Sequence, residues 1–188
     1  MADITARYQR AADGFGRRLD LVSDEHWTLP TPCTDWSVRD LVAHVLDEQL
    51  WIPPLVEGQT IDEVGDRFAG DQIGADAAGA WSNACRAVMS VLAVDGAEAR
   101  TVVLSYGPST TADYVAQVTA DTFVHTWDLA RAVGGDEQLD TADVEWTTRV
   151  LGPVVEKFRA AGVFGVLREV DPDADALTRL LALVGRGP

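Results

Sequence analysis

The chain has almost no lysine: of its 15 basic residues 14 are arginine and one, Lys157, is lysine, against 30 acidic residues and a formal net charge of −15. Nucleic acids and anionic lipid surfaces are bound largely through Lys and Arg. Neither is therefore an expected partner. Cysteine is scarce too. Cys33 and Cys85 are too few for a disulfide framework, and reduced thiols in a cytoplasmic protein are the simpler expectation. No stretch approaches the roughly 18 uninterrupted apolar residues of a membrane span. The segment from Met1 to Phe15 carries Asp3 early and has no apolar run, so no signal peptide is expected. Repeats, low-complexity tracts and a clear internal boundary are also missing, and residues 1–188 are read as a single domain.

What is present is helical. The 188 residues are 47% hydrophobic and include six tryptophans, ample material for a core. Tyr8, Ala11, Phe15 and Leu19 form one stripe of an amphipathic helix over about 4–22. The turn-rich stretch Thr28-Leu-Pro-Thr-Pro-Cys-Thr-Asp-Trp leads to a helix capped near Asp35 to Ser37 and stopped by Pro53-Pro54. Residues 56–75 read as a long acidic loop. A third helix is expected over 74–94, with Trp81, Cys85, Val88 and Leu92 in register. The β-branched run from Thr101 to Tyr106 is either a short extended segment or a loop. A fourth helix spans about 111–133 and ends at Gly134-Gly135, a good C-cap. A fifth, over 141–161, bends near Gly152-Pro153, and a last one covers 173–184. The fold class is all-α, a four-helix bundle with crossover connections and short extra helices.

Histidine is the third scarcity, and it narrows the search for chemistry. His26, His44 and His125 are the three in the chain. Asp121 and His125 are four residues apart, so on a helix their side chains lie one turn apart and about 40° from each other around the axis. A carboxylate and an imidazole so placed can share a divalent cation. His44, on the second helix with Glu48 one turn on, can supply a second imidazole. Two imidazoles and a carboxylate suit Zn²⁺, Ni²⁺, Fe²⁺ or Mn²⁺ and leave coordination positions open. By spacing alone the same residues also fit a surface pair and a core histidine.

Other residues take their roles from that site. Asp128 lies about 60° from His125 on the same side as Asp121, where it can orient an imidazole or pair with Arg131 within the helix. Glu48 is a spare ligand or general base. Asp128 and Glu48 are thus the candidates for proton handling. Trp36, Trp127 and Arg131 are the candidates for holding a cofactor or substrate, the tryptophans as pocket walls and Arg131, like Arg39, as a partner for an anion. Cys33 precedes a helix N-terminus, where a thiol is activated, or is a packed motif residue. His26 has no assigned role.

The segment Thr31-Pro-Cys-Thr-Asp-Trp-Ser-Val-Arg-Asp-Leu-Val-Ala-His-Val resembles the N-terminal motif of DinB/YfiT-like proteins of the mycothiol-dependent maleylpyruvate isomerase group. Asp121-Thr-Phe-Val-His-Thr-Trp-Asp-Leu-Ala-Arg-Ala-Val-Gly and the ending Leu177-Thr-Arg-Leu-Leu-Ala-Leu-Val-Gly-Arg resemble further motifs of that group. The resemblance implies a DinB-like four-helix bundle and a divalent metal, usually zinc or nickel, held by His44, Asp121 and His125. The isomerase resembles this pattern with Glu at the position of Asp121, and other members use His; Asp is one methylene shorter than Glu and reaches less far. No counterpart of the isomerase's additional C-terminal domain is expected, so its substrate-binding residues are not carried over. The resemblance further implies mycothiol as a co-substrate, a small electrophilic substrate and a homodimer. Two functions follow as expectations: a metal- and thiol-dependent transferase or isomerase, and a non-enzymatic metal- or ligand-binding stress or sensor protein on the same bundle.

Overall fold

Four amphipathic segments make the frame. In the computed structural model, which describes residues 4–171 and 173–187, these are α1 (Ile4–Leu19), α2 (Val38–Val56), α4 (Ala77–Leu92) and α5 (Thr111–Val133). Between them lie the short α3 (Ile61–Val64) and an antiparallel hairpin of β1 (Thr101–Leu104) and β2 (Gly107–Thr110). After α5 come α6 (Thr141–Leu151), α7 (Val155–Ala160) and α8 (Ala176–Leu183). The most extensive helix packing is α1 on α5, followed by α2 on α4 and by α5 on α2 and on α6. Among the described residues no helix is long and apolar enough to cross a membrane.

α5 is apolar around most of its circumference because it separates two cores. Val115, Val118 and Leu129 pack with Tyr8, Phe15, Leu41, Val45 and Val88 of the other three long helices. Ala120 and Val124 pack with Val144, Leu151, Phe164, Leu180 and Val184 of the C-terminal segment. A helix covered on two sides has little polar surface to spare, and the polar groups it does carry must find partners inside. Thr122 and Thr126 do so by donating to the carbonyls of Val118 and Thr122.

The helix termini follow the sequence signals. Ser37 and Asp40 form a reciprocal capping box at the start of α2, which satisfies two otherwise unpaired N–H groups. Thr110 caps α5, and Gly134, left-handed at φ 70°, closes it as the Gly-Gly pair predicts.

Other expectations need correction. Pro53 and Pro54 do not stop α2, which runs through them to Val56. Each proline removes one helical donor and costs about 3 kcal/mol or more in a helix interior. Burial of Ile52, Leu55 and Val56, at about 1.5–3 kcal/mol per side chain, offsets this. The proline carbonyls still accept, from Glu57 N at 3.0 Å and Gln59 N at 2.9 Å. The acidic loop holds a helical turn, α3, because Thr60 and Glu63 form a second capping box. α1 ends at Leu19, three residues short of the expected limit. Gly152-Pro153 divides the fifth helix into α6 and α7, and the last helix starts at Ala176, capped by Asp175. Of the two readings open for the 101–106 run, the extended one holds: Thr101–Leu104 is a strand, with Val102 and Leu104 buried and Val103 outward.

Candidate metal centre

α2 and α5 pack against each other and bring His44, Asp121 and His125 together. Asp121 Oδ2 lies 3.3 Å from His44 Nε2 and 3.3 Å from His125 Nε2. All three donor atoms fall within 4.8 Å of one another. Metal–ligand bonds of about 2.0–2.1 Å at tetrahedral angles put neighbouring donors about 3.3–3.4 Å apart, and the two Asp121–imidazole separations match that spacing. The shorter Asp side chain thus still brings an oxygen beside both imidazoles. Side-chain exposure falls from 34% at His44 through 19% at Asp121 to 5% at His125, so the cluster opens to one side, past His44.

The far nitrogen of His125 is fixed. Its Nδ1 pairs with Asp128 Oδ2 at 2.9 Å, which leaves Nε2 for a cation; this carboxylate–imidazole arrangement orients metal-binding histidines. Asp128 is fully buried and is itself held by Arg186, through Nη2 at 3.0 Å and Nε at 3.3 Å. The Cys33 thiol donates to Asp128 Oδ2 at 3.3 Å and lies 3.7 Å from His125 Nδ1. Cys33, His125 and Asp128 form a second group with metal-binding spacing. The Arg186 guanidinium already bridges two of its members, meeting Cys33 Sγ at 3.2 Å. That cation fills the place a metal would take, so the second group fits an orienting role.

Charge within the cluster follows from burial and proximity. Burial opposes ionisation of Asp121, yet the two imidazoles outweigh it and hold its pKa at about 2. Burial would keep His125 neutral, but Asp121 and Asp128 pull its pKa well above the ordinary value. Asp128 is held low against the penalty of burial by His125 and Arg186. Glu48 shows the reverse balance: burial and the Asp121 charge push its pKa up to about 7, a value suited to a group that takes and returns a proton.

The loop before α2 covers the cluster. Trp36 lies 4.9 Å from the His44 ring and stacks on His125 at 5.8 Å and 24°. Its position depends on a turn in which Trp36 N donates to Cys33 O at 3.1 Å and Thr31 Oγ1 donates to Trp36 O at 3.0 Å. Asp35 in that turn has φ 64°, a left-handed conformation that Asp tolerates better than most residues.

Beyond the cluster is a cavity of about 830 Å³ lined by Trp36, His44, Glu48, Asp121 and His125. Gln117 and Tyr114, one and two turns before Asp121 on α5, line it as well, and Tyr106 of the hairpin donates to Gln117 Oε1 at 2.7 Å. Its other side comes from Phe158, the 161–165 loop and the 184–186 tail.

Two expected pocket residues are placed elsewhere. Trp127 is buried away from the cavity, with the Arg131 guanidinium 4.8 Å above its ring, and Arg131 pairs with Glu137 at 2.8 Å. Asp128 does not line the cavity either and reaches it only through the lining residues it holds, His125, Cys33 and Arg186. Arg39 pairs with Asp71, and His26 interacts with the Ser23 turn. Sequence reasoning missed the role of Arg186, although the arginine stands in the quoted C-terminal motif immediately after Gly185.

A DinB-like helical bundle with a two-histidine, one-carboxylate cluster opening on a cavity defines the class. Residues 8–130 match the mycothiol maleylpyruvate isomerase N-terminal domain, and the chain belongs to that family. Among curated proteins it is similar to the uncharacterised protein Rv0738 of Mycobacterium tuberculosis strain H37Rv and to its counterpart MT0763 in strain CDC 1551. Each is 29% identical over 143 residues, covering 73% of this chain and 71% of the relative. A crystal structure of a mutant of the mycothiol-dependent maleylpyruvate isomerase shares the fold, with a TM-score of 0.64 and 14% identity over 86% of this chain and 72% of that one.

Proposed function

We propose that the chain is a divalent-metal-binding protein that uses a thiol, mycothiol by family membership, to transform a small electrophile by transfer or isomerisation. The observation that carries this reading is the approach of Asp121 Oδ2 to both imidazole Nε2 atoms at 3.3 Å on the wall of a large cavity. His44, Asp121 and His125 would hold zinc or nickel. When bound, such a cation stabilises a thiolate at neutral pH and polarises a carbonyl.

The protein's own groups do the rest. Asp128, clamped by Arg186, keeps His125 Nε2 facing the cavity. Glu48 accepts the proton that the thiol loses and can return it to the product. Trp36 shields one side of the cluster from water, and the cavity, within the usual range of about 300–1,000 Å³ for small-molecule sites, holds thiol and electrophile together.

Elemental analysis of the purified protein beside His44→Ala, Asp121→Ala and His125→Ala tests the first half. Near-stoichiometric zinc or nickel is expected in the wild type and little in each variant. Wild type that stays metal-free after incubation with either ion would refute the reading. Thiol consumption with a generic electrophile then separates an enzyme from a non-catalytic metal-binding protein.

A further inference from the structure

The cavity's charge argues for a substrate class. Among the described residues three carboxylates line it, Asp47, Glu48 and Asp121, together with one guanidinium, Arg186. Arg186 is not free to receive an anion: it is buried and bonded to Asp128, to Cys33 and to the Val184 carbonyl. Lys157 Nζ sits 5.0 Å from the Tyr106 ring but does not line the cavity. At mildly alkaline pH, where Glu48 too is ionised, three lining carboxylates stand against the two positive charges of a divalent cation. Much of the remaining wall is apolar, from Leu55, Leu104, Val118, Phe158 and Phe164.

Among the described residues a dicarboxylate in such a space finds no free cationic side chain to pair with: the His125 imidazole is held between Asp121 and Asp128, and Arg186 is held by Asp128. Each of its charges within about 8 Å of an unpaired carboxylate weakens binding by roughly tenfold or more at the effective dielectric of a protein surface. An uncharged molecule loses nothing to those charges and gains from the aromatic and aliphatic wall.

We propose that the pocket takes an uncharged, largely apolar electrophile, and that Asp47 and Glu48 select against dicarboxylates. This rests on the metal-and-thiol reading above only for where the reacting end of the ligand lies. The preference itself follows from the lining.

The test is displacement of N-phenyl-1-naphthylamine, a neutral dye that fluoresces in apolar pockets. Phthalate and dimethyl phthalate are unreactive competitors of matched shape that differ by two charges. The full chain is titrated at mildly alkaline pH, once with a chelator and once loaded with Zn²⁺. The dye should bind in both states, and phthalate should need at least about tenfold more ligand than its ester to displace it. In Asp47→Asn/Glu48→Gln the gap should narrow by about tenfold, through tighter phthalate and unchanged ester. Failure of the dye to bind, equal displacement by acid and ester in either state, or an unchanged gap in the double variant would each overturn the proposal. Failure of the metal reading shows separately, as absence of metal by elemental analysis, and leaves the chelator arm interpretable.

Discussion

Replacing Arg186 with methionine keeps most of the side-chain volume and removes the charge that faces Asp128. The wild-type pair has two contacts, at 3.0 and 3.3 Å, between side chains 7% and 0% exposed. Breaking a buried pair by removing one partner typically costs about 3–5 kcal/mol, because the other charge is left uncompensated. Here His125 and Cys33 still touch the stranded carboxylate, so the low end, about 3 kcal/mol, is expected. For a chain of this size that lowers Tm by about 6–12 °C. Loss of the clamp also loosens the carboxylate that orients the His125 ring, and loss of such outer partners typically weakens metal affinity by about 10- to 100-fold. Thermal unfolding by circular dichroism in chelator measures the first effect. Zinc competition against a chromophoric chelator measures the second. Asp128→Asn/Arg186→Met separates them: with both charges gone it should recover much of the stability but not the affinity. Arg186→Met with wild-type Tm and wild-type zinc affinity would show that the tail does not clamp the site.

Three further outcomes are expected. Gly185→Ala should act like Arg186→Met and destabilise by about 3 kcal/mol, because φ is +81° and the added Cβ would meet the Gly165 backbone at 2.5 Å; unchanged thermal unfolding would contradict the close approach. Burial and Asp121 raise the pKa of Glu48 from its ordinary 4.5 to about 7, so the folded state binds more protons between those values and stability falls as pH rises through them. Glu48→Gln in chelator should therefore exceed wild type by up to about 3 kcal/mol above pH 7 and match it near pH 4, and a pH-independent difference in urea unfolding would refute the reasoning. Burial pushes the Cys85 thiol up to about 12; in a Cys33→Ser background it should react with Ellman's reagent at least about a hundredfold more slowly when folded than in urea, and equal rates would show an open thiol.

The helices were legible because their signals are local. Ser37 with Asp40, Thr110, and Gly134 mark ends through contacts within a few residues, and the stripe from Tyr114 to His125 repeats at helical spacing. The continuation of α2 through Pro53 was not legible, since it depends on tertiary burial of Ile52 and Leu55. The donor cluster was legible as two fragments, Asp121 with His125 and His44 alone; packing of α2 on α5 joins them. Helical geometry could have removed Trp127 from the pocket, since two residues beyond His125 it points about 200° away around α5. Trp36 carries no such signal, because it stands in a turn whose shape depends on Thr31 and a left-handed Asp35. Arg186 was hidden for a different reason: nothing local ties residue 186 to residue 128.

That last contact divides the site in an informative way. The family match covers residues 8–130 and contains His44, Asp121, His125 and Asp128, whereas the cation that settles the charge on Asp128 lies beyond it. The donors and the clamp on the carboxylate that orients them are therefore encoded in different parts of the chain. A protein alike through the matched region but with a different tail would offer the same three atoms to a metal and bind it with a different strength. Comparing such proteins by their ligands alone would group together centres that behave unlike one another.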